Sequence, residues 1–423
     1  MNAIDRMLQE IQIPKFVPVE QAFHTPALED VGQELWERLH RGPFPALVRK
    51  EQNIGITVGS RGIANLQKIV SVLVRFVRER GAHPYILPSM GSHGNADAKG
   101  QEEVLRGLGI EEATMGAPVL SGMEVVELGK TADGIAVYYD KNAFRMDGVI
   151  LFNRIKAHTD IDGDVESGLQ KMIAVGLGDH TGAAEMHKYG MECASARIQS
   201  IGCYALAHAN ILFGVAVLEN EYDQTSDVVC IPPEEIPNRE KELLRKSKRQ
   251  LPRFLMNDID LLIVDRIGKD VSGDGMDPNV IGRSILGCKN PGIRIKRIVT
   301  LGLTGATGGS AHGVGLSDVT TRRIFDRMDL ETMYANAITS IALKGSCIPP
   351  VMETDRLAIQ LGIKSACVAD PERLRAVRIR DTLHLGRILV AEAFAREVGK
   401  IPGCRIAGPA KDLPFRADGS LLD

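Results

Sequence analysis

The chain has 423 residues, more than one ordinary hydrophobic core accommodates, so two domains are expected. Its 51 basic and 54 acidic side chains leave a formal charge of -3 and a pI near 6.4, which gives no electrostatic reason to expect nucleic acid or an anionic membrane as a partner. The opening MNAIDRMLQEIQIPK lacks the continuous apolar core of a signal peptide and no stretch reaches bilayer length. Seven cysteines (Cys193, Cys203, Cys230, Cys288, Cys347, Cys367, Cys404) form no CxxC pair, so reduced thiols, a cytoplasmic location and no structural zinc are expected.

In chain order, residues 1–50 hold one expected helix, around Leu28 to Leu39, within a Pro-punctuated segment that packs across a domain surface. Ile54 to Val58 is strand-like, Gly59-Ser60-Arg61-Gly62 is a loop, and Leu66, Ile69, Val70, Leu73, Phe76 and Val77 fall at helical spacing before Gly81. Tyr85 to Leu87 is the next strand, making a βαβ unit with parallel strands. Gly59 to Gly62 then lies at a strand's carboxyl end and a helix's amino end, a place that favours an anion, and Arg61 adds a planar fork for carboxylate or phosphate. The spacing matches neither GxGxxG nor a P-loop. His93 leaves the second strand at the same sheet edge as Arg61.

Further helices are expected over Glu102–Leu108 and Ala194–Ala209, short β segments over Val119–Tyr139, and apolar strands over Asp147–Phe152 and Ile211–Leu218. Residues 153–190 concentrate chemistry: three of the ten histidines, several glycines and a lysine among apolar neighbours. His158 follows an expected central strand, where open α/β sheets place ligands. Lys171 either snorkels to water or is held for chemistry, because burying its charge is costly. A helix from Asp179 to Tyr189 puts His180 and His187 on one face.

Residues 231–252, Pro-bounded and highly charged, read as an inter-domain connector with a solvated helical middle. Ile259 to Val264 opens the second domain, followed by a loop dense in carboxylates, Gly and Asn. An EF-hand is ruled out there by the missing ligand spacing and terminal Glu. A strand at Ile298–Leu301 leads to a second Gly-rich loop, Gly302 to His312. Helices are expected at Asp329–Leu343 and Arg380–Val398, with the tail on the surface or folded back on the first domain. There is no internal repeat.

The segment Met90 to Asn95, with His158, the Gly-rich stretch around Lys171 and the helix carrying His187, resembles the nickel-pincer lactate racemases and their relatives over roughly the first 220 residues. That resemblance implies an α/β protein of two domains, 1–250 and 251–423, with largely parallel sheets and an active-site cleft between them. It implies racemisation or epimerisation of a 2-hydroxy acid by reversible hydride transfer to a nickel-pincer nucleotide, a pyridinium bisthiocarboxylate mononucleotide carrying nickel. His93 and His158 would be the acid/bases, a role that suits imidazole. Lys171 would tether the cofactor and His187 would ligate nickel, with His180 as the competing ligand. The loop of Gly59, Ser60, Arg61 and Gly62 would assist cofactor or substrate binding. The family has an acidic residue where this chain has Val58.

In the second domain Lys269 and Asp270 echo the start of the family's substrate loop, after which Asp274, Asp277, Asn279 and Arg283 stand in place of its contacts. With His312, these are the expected substrate residues, and their polarity favours an acid larger than lactate, such as a sugar acid. The partners implied are a small hydroxy acid and cofactor-synthesis enzymes; a homo-oligomer is left open. Two other readings stand beside this one: a hydrolase in which His93, His158 and His187 bind zinc directly, and a non-catalytic anion-binding protein of the same fold. His24, His40, His83, His208 and His384 read as ordinary surface or core histidines.

Overall fold

The computed structural model describes residues 3–188, 190–287 and 292–422. Two compact units form, one of residues 25–251 and one composed of residues 1–24 with 252–423. The first strand, β1 (Phe16–Gln21), belongs to the composite unit.

The 25–251 unit begins with α1 (Val31–Arg41), whose N-cap Asp30 accepts the Gln33 N–H at 3.1 Å. There follow β2 (Asn53–Val58), α2 (Leu66–Glu79), β3 (His83–Pro88) and a hairpin of β4 (Val125–Lys130) and β5 (Ala136–Asp140). Then come β6 (Gly148–Arg154), α3 (Asp179–His187), β7 (Ile211–Glu219), β8 (Thr225–Ile231) and α4 (Ile236–Arg249). The sheet order is β3-β2-β6-β7-β8, parallel except for β8.

A parallel sheet with both faces covered needs strands that are apolar throughout. In β6, Ile150 and Phe152 enter the core beneath α2, while Val149 and Leu151 enter the core on the other face. The apolar stripe of α2 buries Leu66, Ile69, Val70, Leu73, Phe76 and Val77, the spacing read from the sequence. Each such side chain contributes about 1.5–3 kcal/mol on burial. The segment expected to be a connector is instead part of this unit: Ile236, Leu243 and Leu244 of α4 complete the second core, so its charges form one face of a packed helix.

In the composite unit β9 (Asp258–Val264), β10 (Arg294–Thr300), a short parallel pair β11 (Thr320–Thr321) and β12 (Val351–Met352), and α5 (Asp355–Ala366) precede β13 (Ala376–Ile379), β14 (Arg387–Ala391) and β15 (Cys404–Ile406). The main sheet runs β10-β9-β13-β14-β1-β15, with β9, β10 and β13 parallel and the rest antiparallel.

Three expectations change here. Residues 1–24 join this unit because β1 pairs with both β14 and β15. The helix expected over Arg380–Val398 is strand β14 followed by a helix only from Glu392, because pairing with β1 and β13 overrides local propensity. The tail belongs to this unit too, where Leu413 and Leu421 are buried and the Leu421 N–H donates to Asp355 at 2.8 Å. The six described cysteines are free thiols; Cys288 lies outside the described residues. Among the described residues no helix is long and apolar enough to cross a membrane.

Candidate active site

In the 25–251 unit β2 lies between β3 and β6, so the loops leaving their carboxyl ends are neighbours at one sheet edge. The β2 loop carries Ser60 and Arg61, the β3 loop His93, and the β6 loop His158. Backbone bonds tie them together: Ser89 N–H donates to the Val58 carbonyl at 2.9 Å and Gly91 N–H to the Gly176 carbonyl at 3.4 Å. Gly91 is required, since its φ is +63° and a Cβ would come within 3.0 Å of the Val175 carbonyl oxygen. Ser60 Oγ is hydrogen-bonded to His93 Nδ1.

The β6 loop folds back on itself. Lys156 and Ser167 exchange backbone bonds of 3.1 and 3.2 Å, and Asn153 Nδ2 donates to the Gly168 carbonyl at 2.9 Å. Glu166, fully buried, accepts from the His158 N–H at 2.7 Å, the Gly163 N–H at 3.3 Å and Lys248 Nζ at 2.5 Å. His158 Nδ1 accepts from the N–H groups of Asp160 (3.0 Å) and Ile161 (3.2 Å). Two backbone donors on one ring nitrogen fix the tautomer, so the neutral ring carries its proton on Nε2.

Lys171 ends a short helical turn, Leu169–Lys171, that passes into a π-helical turn, Met172–Gly176, a geometry found often at functional sites. Buried Glu240 of α4 accepts the Gln170 N–H at 3.0 Å, and desolvation pushes its carboxyl up to about 7. Burial, then the Arg61 guanidinium, pulls the Lys171 amine down to about 8, with Asp160 and Glu166 acting in the opposite sense. His187, half-buried at the end of α3, is lowered by burial and then by Lys171 and Arg197. His180, at the start of the same helix, is exposed. Behind them Asp179 holds a left-handed φ of +48° and is pushed up to about 8 by burial and by the adjacent Asp140 carboxylate.

Lys171 thus lies in the field of Arg61 and of Glu166, which holds the His158 N–H, and His187 lies in the field of Lys171, while Ser60 and His93 form a hydrogen-bonded pair of their own. A Cβ at Gly59 would make only an ordinary contact with Met172, at 3.4 Å, and one at Gly62 would meet open space. Helix α2 starts only at Leu66, after left-handed Asn65, and Glu219 accepts the Ala64 N–H at 2.8 Å. The helix end expected to hold an anion thus has a carboxylate of the chain beside it.

Sequence reasoning missed Glu166, Glu240 and Lys248. A signal was present: acidic residues at alternate positions 160, 162, 164 and 166 face a basic series in α4. Lys241 pairs with Asp164 at 3.4 Å and Lys248 with Asp162 at 3.5 Å.

The composite unit uses its expected substrate residues internally. Asp277 caps the turn Pro278–Ile281, accepting from Asn279 N–H (2.9 Å) and Asn279 Nδ2 (2.8 Å). Asp274 is buried, and His312 is buried with Nδ1 3.1 Å from Ser346 Oγ. Lys269 Nζ donates to Asn336 Oδ1 at 2.6 Å, Asp270 accepts from Thr304 Oγ1 at 2.5 Å, and Arg283 bridges to Asp318 at 2.7 Å. Asp277 and Asn279 thus cap a turn, and Arg283 pairs with Asp318.

Among the described residues no group of three or more His, Cys, Asp or Glu side chains is arranged to hold a metal ion. No protein-family model matches the chain, and no curated protein matches it. Among solved structures, the lactate racemase apoprotein from Thermoanaerobacterium thermosaccharolyticum is similar to this chain at 13% identity and a TM-score of 0.48, over 93% of this chain and 97% of that one.

Proposed function

We propose that the protein is an isomerase, a racemase or epimerase of 2-hydroxy acids that works with a nickel-pincer nucleotide. What supports this reading is that the loops bearing Arg61, His93 and His158 leave neighbouring strands of one sheet, while the Lys171 amine, in the field of Arg61, is lowered to about 8 and His187 lies in the field of Lys171.

The residues fit the cofactor. An amine near 8 is neutral in roughly one molecule in ten at pH 7, against a few in ten thousand for an ordinary lysine, so Lys171 is suited to a covalent tether. His187, kept neutral by burial, would hold nickel. When bound, the cofactor supplies the hydride-accepting centre. Arg61 would orient the substrate carboxylate with its planar fork.

The two imidazoles have different standing. His93, its Nδ1 hydrogen-bonded to Ser60 Oγ, would take the hydroxyl proton on Nε2 in the tautomer that donates Nδ1–H to the serine. His158, its Nδ1 occupied by two backbone donors, serves as an Nε2–H donor that holds the substrate oxygen. Exchange of their roles requires the turn at Asp160–Ile161 to release Nδ1. A zinc hydrolase built on His93, His158 and His187 lacks support in the ligand geometry of the described residues.

The test is co-expression with cofactor-synthesis enzymes, followed by intact-mass analysis and chiral assay of a hydroxy-acid panel. A mass increment lost in Lys171→Ala, with interconversion of at least one acid that drops at least a hundredfold in His93→Ala, is expected. Absence of both the increment and any interconversion overturns the reading. Saturable anion binding without turnover would then point to a non-catalytic binding protein.

A further inference from the structure

The composite unit contains a cavity of about 320 Å³ that shares no residue with the histidine–lysine site. It lies where the parallel strands β9, β10 and β13 end. Asp265 and Arg266 follow β9, Gly302 and Gly305 follow β10, and Arg378 comes from β13. Carboxyl ends of parallel strands are where open α/β sheets bind ligands.

Four arginines line it: Arg266, Arg323, Arg327 and Arg378. Arg378 is buried and donates Nε to Asp265 at 2.8 Å and Nη2 to the Leu422 carbonyl at 3.4 Å. Arg323 donates Nε to the Leu301 carbonyl at 3.1 Å and Nη2 to both Asp355 oxygens at 3.1 and 3.0 Å. A guanidinium has five N–H donors, so each keeps N–H groups beyond those bonds. Asp265 and Asp355 match these two cations one for one. Arg327 forms no ion pair or side-chain hydrogen bond among the described residues, so the lining stays net positive even before Arg266 is counted.

We propose that this cavity binds a small molecule through a carboxylate or phosphate group. Guanidinium forks held by their own carboxylates are preorganised for such planar or tetrahedral oxyanions. Gly302 and Gly305 present backbone without side chains on the same wall. The volume is at the lower end for ligand pockets, which suits a small anionic metabolite and not a dinucleotide.

The test uses the full chain, with inorganic phosphate and gluconate as probes, in calorimetry and thermal unfolding at ionic strength held constant with chloride. Saturable binding of at least one probe is expected, with a concentration-dependent rise in Tm. Arg327→Gln should weaken it about tenfold, the equivalent of one charge-assisted bond, and Arg327→Lys less. The Arg327 side chain has no hydrogen-bond or ion-pair partner among the described residues, so Tm without ligand should not change. Arg61→Gln should leave this binding intact. Tighter phosphate binding marks a phosphate ester as the ligand class, tighter gluconate binding a carboxylate. Three results would overturn the proposal: no binding beyond the chloride control, unchanged binding in Arg327→Gln, or loss of binding in Arg61→Gln. Failure of racemisation would leave it untouched.

Discussion

Burying Lys171 and Asp179 makes their charged forms costly, and the cost has a sign. For Lys171 the folded-state value of about 8 lies below the ordinary 10.5, so between the two the unfolded chain binds the extra proton and stability rises with pH. Below about 8 the burden is present in full. Lys171→Met should therefore raise stability by about 1–3 kcal/mol at pH 7, a gain that shrinks above pH 8 and disappears by about 10.5, measured by urea unfolding across pH. Glu166 acts to raise the Lys171 value, so Glu166→Gln should move the midpoint of Lys171 acylation, followed by mass spectrometry, further below 8; an upward move would contradict the charge arrangement.

Asp179 behaves in the opposite way. Its value is raised from 3.8 to about 8, so the folded chain keeps a proton that the unfolded chain has lost, and stability falls as pH rises through that window. Asp179→Asn keeps the left-handed backbone accessible. Its Tm should exceed the parent's at pH 9 and converge with it near pH 4.

At the scale of elements, helix α4 is the strap of the candidate site. Glu240 caps the turn that carries Lys171, and Lys248 neutralises the buried carboxylate that holds the His158 N–H. Lys248→Ala leaves Glu166 buried beside Asp162 and Asp160 without its ammonium partner. Because Lys248 is partly exposed, the loss should be about 1–2 kcal/mol. Faster hydrogen exchange confined to residues 158–168 would locate it. Unchanged exchange there would mean that the loop holds its shape without the strap. The amphipathic pattern of this helix was legible, but its charges were read as solvated, because a sequence does not say which acidic loop a basic face meets.

At the scale of the whole molecule, Arg61, His93, His158, Lys171 and His187 all lie in residues 25–251, which have their own two-sided core. A 25–251 fragment should unfold cooperatively in urea with native-like dispersion of its NMR spectrum. A 252–423 fragment should not, since without β1 the strands β14 and β15 face an empty position in the sheet.

The sequence by itself determined the βαβ start, the continuous apolar strands of the parallel sheets and the residues gathered at one sheet edge. These follow from periodicity and chain order, which are local properties. Only the tertiary structure decided that β1 crosses to the far end of the chain, that Asp277 and Asn279 serve a turn, and that His158 is held in one tautomer. Each of those depends on partners distant in sequence or on hydrogen-bond direction, and neither is encoded in residue type or spacing.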